Sequence, residues 1–194
     1  MVERARVAGR GRWTAEPSPS GVASGDREPD PEQVARAIGL RLLTDAPRSR
    51  AELGRAMARK GVPDDIAERV LDRFGEVGLI DDAEYASTLV RSRHAERGLA
   101  ATALQAELRR RGVDAAVAQQ AVAQLSADDQ EAMARRLVAR KLASTAGLDT
   151  PTRVRRTVAA LGRKGYAPGL VGRLVRAELA AEGELLADED LPVD

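Results

Sequence analysis

The sequence predicts an all-α protein built from three tandem three-helix repeats, and three observations carry that expectation. Residues 53–70, 104–121 and 157–174 say nearly the same thing: a basic residue, then Gly61, Gly112 or Gly165, then Val or Tyr, and an apolar residue five past the glycine (Ile66, Val117, Leu170). The glycines lie 51 and 53 residues apart, a period that suits a repeated supersecondary unit. A second marker keeps step with the first. Asp30-Pro-Glu-Gln33, Asp81-Asp-Ala-Glu84 and Asp128-Asp-Gln-Glu131 each set an Asp three residues before Glu or Gln, the spacing of a helix capping box. The third observation is compositional: 36 alanines and four aromatic residues in 194, with no β-branched runs, favour helices over strands.

Residues 1–29 are rich in Gly, Pro, Ser and Arg without apolar periodicity and are expected to be disordered. Pro31, at a favourable first helical position, marks the start of the folded body. Repeat 1 spans 30–80, with helices expected near 31–44, 49–60 and 63–77. Ser49-Arg-Ala-Glu52 opens the second of these as a further capping box. Leu53 and Met57 give that helix an inner face, which Ile66, Val70, Phe74 and Val77 continue on the third. Repeat 2 spans 81–127, with helices near 82–96, 100–111 and 114–125, where Leu104 and Leu108 match Leu53 and Met57. Repeat 3 spans 128–181, with helices near 129–144, 151–164 and 167–181. From Asp to glycine the interval is 31 residues in the first two repeats and 37 in the third, so six extra residues fall around 145–150, beside Gly147 and Pro151. Each repeat glycine sits where a helix ends and the chain turns, which favours a left-handed backbone. Residues 182–194 form an acidic tail.

Several kinds of chemistry are excluded. With no cysteine there are no disulfides or thiolate ligands, and with His94 the single histidine no His-based metal cluster or catalytic triad can be assembled within the chain. His94, among Arg91, Arg93 and Arg97, is expected on the surface. There is no phosphate-binding glycine loop, and Gly9-Arg-Gly11 lacks the rest of a dinucleotide fingerprint. The acidic pairs Asp64-Asp65, Asp81-Asp82 and Asp128-Asp129 fall at helix starts, where they cap amides and oppose the dipole. Nothing resembles a signal peptide or an apolar spanning run, so a cytoplasmic location without membrane contact is expected. No cofactor, metal or catalytic residue is expected.

Charge is what remains. The whole chain carries +1, but residues 33–177 hold 26 basic and 17 acidic side chains, a net +9 that suits a polyanionic partner. Residues 128–177 alone hold 11 basic and 4 acidic. Arg135, Arg136, Arg140 and Lys141 fall on the first helix of repeat 3, and Arg153, Arg155, Arg156, Arg163 and Lys164 on its second. Helical spacing sets Arg136 near Arg140 and Arg153 near Arg156, a destabilising arrangement that an anionic partner would explain. Arg91, Arg93, Arg109, Arg110 and Arg111 of repeat 2 are further contact candidates.

At Leu79-Ile-Asp-Asp-Ala-Glu-Tyr-Ala86, Val90-Arg-Ser-Arg93, Arg97-Gly98 and Leu104-x-x-Glu-Leu-x-x-Arg-Arg-Gly-Val113 the chain resembles the RecX family of recombinase regulators. The resemblance covers about residues 33–180, with Ser49-x-x-Glu-Leu53, Arg59-Lys-Gly61 and Arg163-Lys-Gly-Tyr166 in the outer repeats. It implies an elongated, curved array that binds RecA and the RecA–DNA filament as a monomer. Inhibition of strand exchange, ATP hydrolysis and coprotease activity would follow, without catalytic residues. The long N-terminal tail and acidic C-terminus depart from the family core. Two other classes compete: a DNA-binding protein, and a scaffold for another protein. Two helices meeting at a glycine are compatible with helix-turn-helix geometry. The would-be reading helices, however, offer Ala115-Ala-Val-Ala-Gln-Gln120 and Pro168-Gly-Leu-Val-Gly172, with few groups for base edges. Weak, sequence-indifferent contact with the nucleic-acid backbone is the form of DNA binding expected.

Overall fold

The computed structural model describes residues 30–183, which contain nine α-helices and no strand. The chain divides into two units, Met1–Asp30 and Pro31–Asp194, and every described helix belongs to the second. Gly9 to Trp13 and the acidic residues beyond Gly183 lie outside the described residues.

The helices pack in consecutive triplets. Helices α1 (Pro31–Asp45), α2 (Arg50–Ala58) and α3 (Asp64–Glu76) contact one another. So do α4 (Asp82–Arg97), α5 (Ala101–Arg111) and α6 (Ala115–Ala123), and likewise α7 (Ala127–Ala143), α8 (Thr150–Gly162) and α9 (Pro168–Ala181). Each triplet has its own apolar cluster. The first is built on Leu53, Met57, Val70, Leu71 and Phe74, the second on Val90, Leu104, Leu108 and Ala118, the third on Val138, Leu142, Leu161, Val175 and Leu179. With so few aromatics, close approach of backbones fills the space. Gly39, in the middle of α1, costs about 1 kcal/mol in helix propensity. It leaves room for the Phe74 ring, whose Cζ would stand 3.1 Å from an added β-carbon.

Local sequence explains the ends. Ser49 caps α2 in a complete capping box with Glu52, Asp81 caps α4 through the amides of Ala83 and Glu84, and Asp114 and Asp149 cap α6 and α8. Helix α7 starts earlier than expected, because Ser126 is its cap and Asp128 and Asp129 lie in its first turn. The turn between α7 and α8 occupies 144–149, where the extra residues of the third repeat were expected. Gly61, Gly112 and Gly165 all have left-handed backbones, with φ of 78°, 84° and 88°.

Two expectations of burial fail. Val77 is 50% exposed, because α3 ends at Glu76 and Val77 belongs to the turn. His94 is buried, because α4 presents it inward; its Nδ1 donates to the Leu99 carbonyl at 2.9 Å, two residues past the helix end.

Candidate interaction surface

The joints between triplets follow one plan, used twice. In the first, the Ser49 hydroxyl donates to the Arg111 carbonyl at 2.7 Å, and the Arg50 amide donates to Asp82 Oδ1 at 2.8 Å. In the second, the Ala100 amide donates to the Lys164 carbonyl at 2.9 Å, and the Ala101 amide to Gln130 Oε1 at 3.2 Å. In each case the N-terminus of a triplet's second helix is satisfied by the next triplet, at the carbonyl just before its repeat glycine. Ala100 can offer no side-chain cap to α5. The following triplet supplies the missing acceptors.

The fillings of the two joints differ. At the first, Arg111 ties Glu52 (3.1 Å) to Glu107 (3.0 Å) and donates to the Tyr85 hydroxyl (2.9 Å), which itself donates to Glu52 (3.1 Å). Burial opposes the charge on Arg111, but its bonds to Glu107 and Tyr85 and the nearby Glu52 charge prevail and raise its pKa. Burial also raises the Tyr85 phenol, with Arg111 pulling the other way. At the second joint, Ala100 joins the third apolar cluster, and a β-carbon at Gly98 would lie 2.9 Å from Leu137 Cδ1. The first joint is filled by an ionic network and the second by apolar packing, with Arg97, Arg136 and Arg140 lining the cleft beside it.

The basic candidates separate accordingly. Arg111 belongs to the first joint, and Arg93 is half-buried beside Glu107 and Glu96. Arg91 is exposed and pairs with Glu84, while Arg109 and Arg110 are exposed without a carboxylate partner among the described residues. On the third triplet Arg135 pairs with Glu131. Arg153 departs most from expectation. Its side chain is 2% exposed, bonded to Glu182 at 2.6 Å and to the Leu142 carbonyl, so it points between α7 and α9 and not beside Arg156 on the surface. Sequence position predicts surface charge at 153, but the residue falls on the inner face with Val154, Thr157 and Leu161.

Nine basic side chains of the third triplet have no carboxylate partner among the described residues: Arg136, Arg140, Lys141, Arg155, Arg156, Arg163, Lys164, Arg173 and Arg176. Arg155, Arg156 and Arg163 are exposed on or just past α8, and Arg136 and Arg140 on α7. Lys164 is held below the ordinary lysine pKa by burial, and by repulsion from Arg140 and Arg97. No group of His, Asp and Glu among the described residues is arranged to hold a metal ion. No described helix is long and apolar enough to cross a membrane.

These features define a tandem three-helix-repeat protein with a cationic surface whose charges are largely unpaired among the described residues. Residues 35–74 match the family model "RecX, first three-helix domain" and residues 81–122 the model "RecX, second three-helix domain". The Regulatory protein RecX of Thermobifida fusca is 58% identical over 149 residues, which cover 77% of this chain and 80% of that protein. The Regulatory protein RecX of Streptomyces coelicolor is 50% identical over 167 residues, 86% of this chain and 89% of that one. The chain belongs to the RecX family. The crystal structure of RecX from Lactobacillus salivarius shares the fold, with a TM-score of 0.69 at 17% identity over 78% of this chain and 98% of that one.

Proposed function

We propose that this chain is a non-enzymatic regulator that binds RecA and the RecA–DNA filament in the cytoplasm, as a monomer, and inhibits recombinase, ATPase and coprotease activity. Such an activity belongs to DNA repair, recombination and the SOS response. Family membership supplies the regulatory role. The observation that supports the mode of action is the third triplet's surface, on which nine cations make no ion pair among the described residues. Like charges on adjacent helical turns disfavour the folded chain, so an external anion is the physical reason for them. Phosphate contact through Arg positions a protein without reading sequence, while the ordered RecA lattice supplies specificity.

The test is RecA ATPase on single-stranded DNA with and without the protein. Dose-dependent inhibition is expected. An unchanged ATPase rate at saturating protein overturns the reading in favour of a scaffold for some other partner.

A further inference from the structure

We propose that the second joint is a phosphate-binding site, which takes the phosphodiester backbone of a nucleic acid and is tightened by it. This deepens the reading of a cationic contact surface by giving it one location and one ligand chemistry.

Two clefts flank Arg140 and share Leu137: one of about 220 Å³ spans the joint between the end of α4 and α7, and one of about 320 Å³ adjoins it between α7 and α8 of the third triplet. Arg97 and Arg136 line the first; Lys141 and Lys164 line the second. The stripe arises from helical periodicity, since Arg136 and Arg140 lie four apart on one face of α7, while Lys141 lies about 100° around the helix in the adjoining cleft. Arg97 comes from the end of α4 across the joint, and Lys164 from the turn after α8, where its ammonium donates to the Arg97 carbonyl. The five cations have no carboxylate partner among the described residues. Glu96 is the single acidic lining residue, and its carboxylate faces Arg93 at 3.8 Å.

Positive charge thus gathers beside the seam, Arg97 from the second triplet and the other four cations from the third. Beyond the cost of burial, Lys164 is repelled by Arg140 within its own triplet and by Arg97 across the joint, and the second of these works against the contact. An anion seated between them would reverse that sign, attracting both triplets at once. Phosphate suits the seat because guanidinium forks and ammonium groups bind its oxygens with charge-assisted hydrogen bonds. Two neighbouring cationic clefts suit successive charges along a phosphodiester chain. Neither lining includes an aromatic ring on which a base could stack, so the contact falls on the phosphates, which carry no sequence information.

The experiment compares the full chain with an Arg136→Gln, Arg140→Gln double variant and with a charge-matched control, Arg41→Gln, Arg59→Gln, on the first triplet. Fluorescence anisotropy with labelled oligothymidylate measures binding, and melting temperature is read with and without the oligonucleotide at fixed ionic strength. The site predicts about a tenfold loss of affinity in the joint variant and little in the control. It also predicts a log–log salt slope shallower by about 1.4, from roughly 0.7 per cation removed. The oligonucleotide should raise the melting temperature of the wild-type chain and not of the joint variant, which should itself melt no lower than wild type. Undiminished affinity in the joint variant overturns the site. Displacement by polyglutamate at charge concentrations equal to the oligonucleotide overturns the ligand, replacing it with an acidic protein face. RecA ATPase keeps the two readings apart: absence of inhibition by wild-type protein, with oligonucleotide binding lost in the joint variant, leaves the site standing and removes the regulatory role.

Discussion

Gly112, at the end of α5, lies so close to Ala51 of α2 that a β-carbon on the glycine would overlap the alanine methyl. Gly165 makes the matching approach to Ala103, whose backbone nitrogen would be 2.7 Å from such a carbon. Gly61 adopts the same left-handed backbone with open space around it. The three repeat glycines therefore share one conformational reason, and two of them have a packing reason besides.

That difference can be measured. Gly61→Ala should cost roughly 1–2 kcal/mol, the strain of a left-handed non-glycine residue. Gly112→Ala should cost more, because it also forces α2 and α5 apart. Equal losses of stability in denaturant unfolding would show that the first joint yields without penalty.

Ser49→Ala should destabilise by more than the roughly 1 kcal/mol of a lost helix cap. The hydroxyl is fully buried, accepts from the Glu52 amide at 3.2 Å and donates to the Arg111 carbonyl at 2.7 Å. Removing it deprives both α2 and the joint. A loss no greater than that of Asp114→Ala, a cap confined to its own triplet, would contradict a role in the joint.

Arg153 and its neighbours on α8 should behave oppositely. Arg153→Gln empties a buried position and strands the Glu182 contact, so the melting temperature should fall, by about 2 kcal/mol of stability after allowance for the half-exposed Glu182. Arg155→Gln with Arg156→Gln should leave melting unchanged and weaken RecA inhibition. Thermal melts paired with RecA ATPase assays check both.

Tyr166 links stability to alkaline pH. Burial pushes its phenol up to about 12 from an ordinary 10.0, with Arg136 acting in the other direction. The folded state thus keeps the proton where the unfolded chain would release it. Its contribution is complete below about pH 10 and is lost as pH climbs towards 12. Its hydroxyl is also buried without a hydrogen-bond partner among the described residues. Tyr166→Phe should therefore hold or raise the melting temperature at neutral pH, by up to about 1 kcal/mol, and flatten the decline between pH 10 and 12. A steeper decline in the variant would refute this.

The fold was legible because its signals are local. Glycine, capping Asp and Ser, and apolar residues four apart each act within one or two turns, so Leu53 and Met57, or Leu104 and Leu108, declare their burial in the sequence alone. The cationic surface was half legible. Counting charge located it on the third triplet, but counting cannot tell a side chain that turns inward from one that turns out. Arg153 was misplaced for that reason, although its position three before Arg156 and four before Thr157 puts it on Thr157's face as readily as on Arg156's. Arg111 was read as a surface residue for the same reason. Its partner Glu52 lies 59 positions away, a pairing that only the joint creates. The joints themselves gave no sequence signal beyond the absence of a polar cap at Ala100.

Tyr85 has a further use. The chain has two tyrosines and one tryptophan, and the tryptophan, Trp13, lies before the helices. Tyr85 is held in the ionic first joint by Glu52 and Arg111, while Tyr166 is sealed in the third triplet. The two phenols are thus built-in optical probes of different places, and a Tyr166→Phe chain would leave the first joint as the sole source of tyrosine emission. Opening of that joint, with every helix intact, would register in emission and near-ultraviolet dichroism and leave the far-ultraviolet helical signal unmoved.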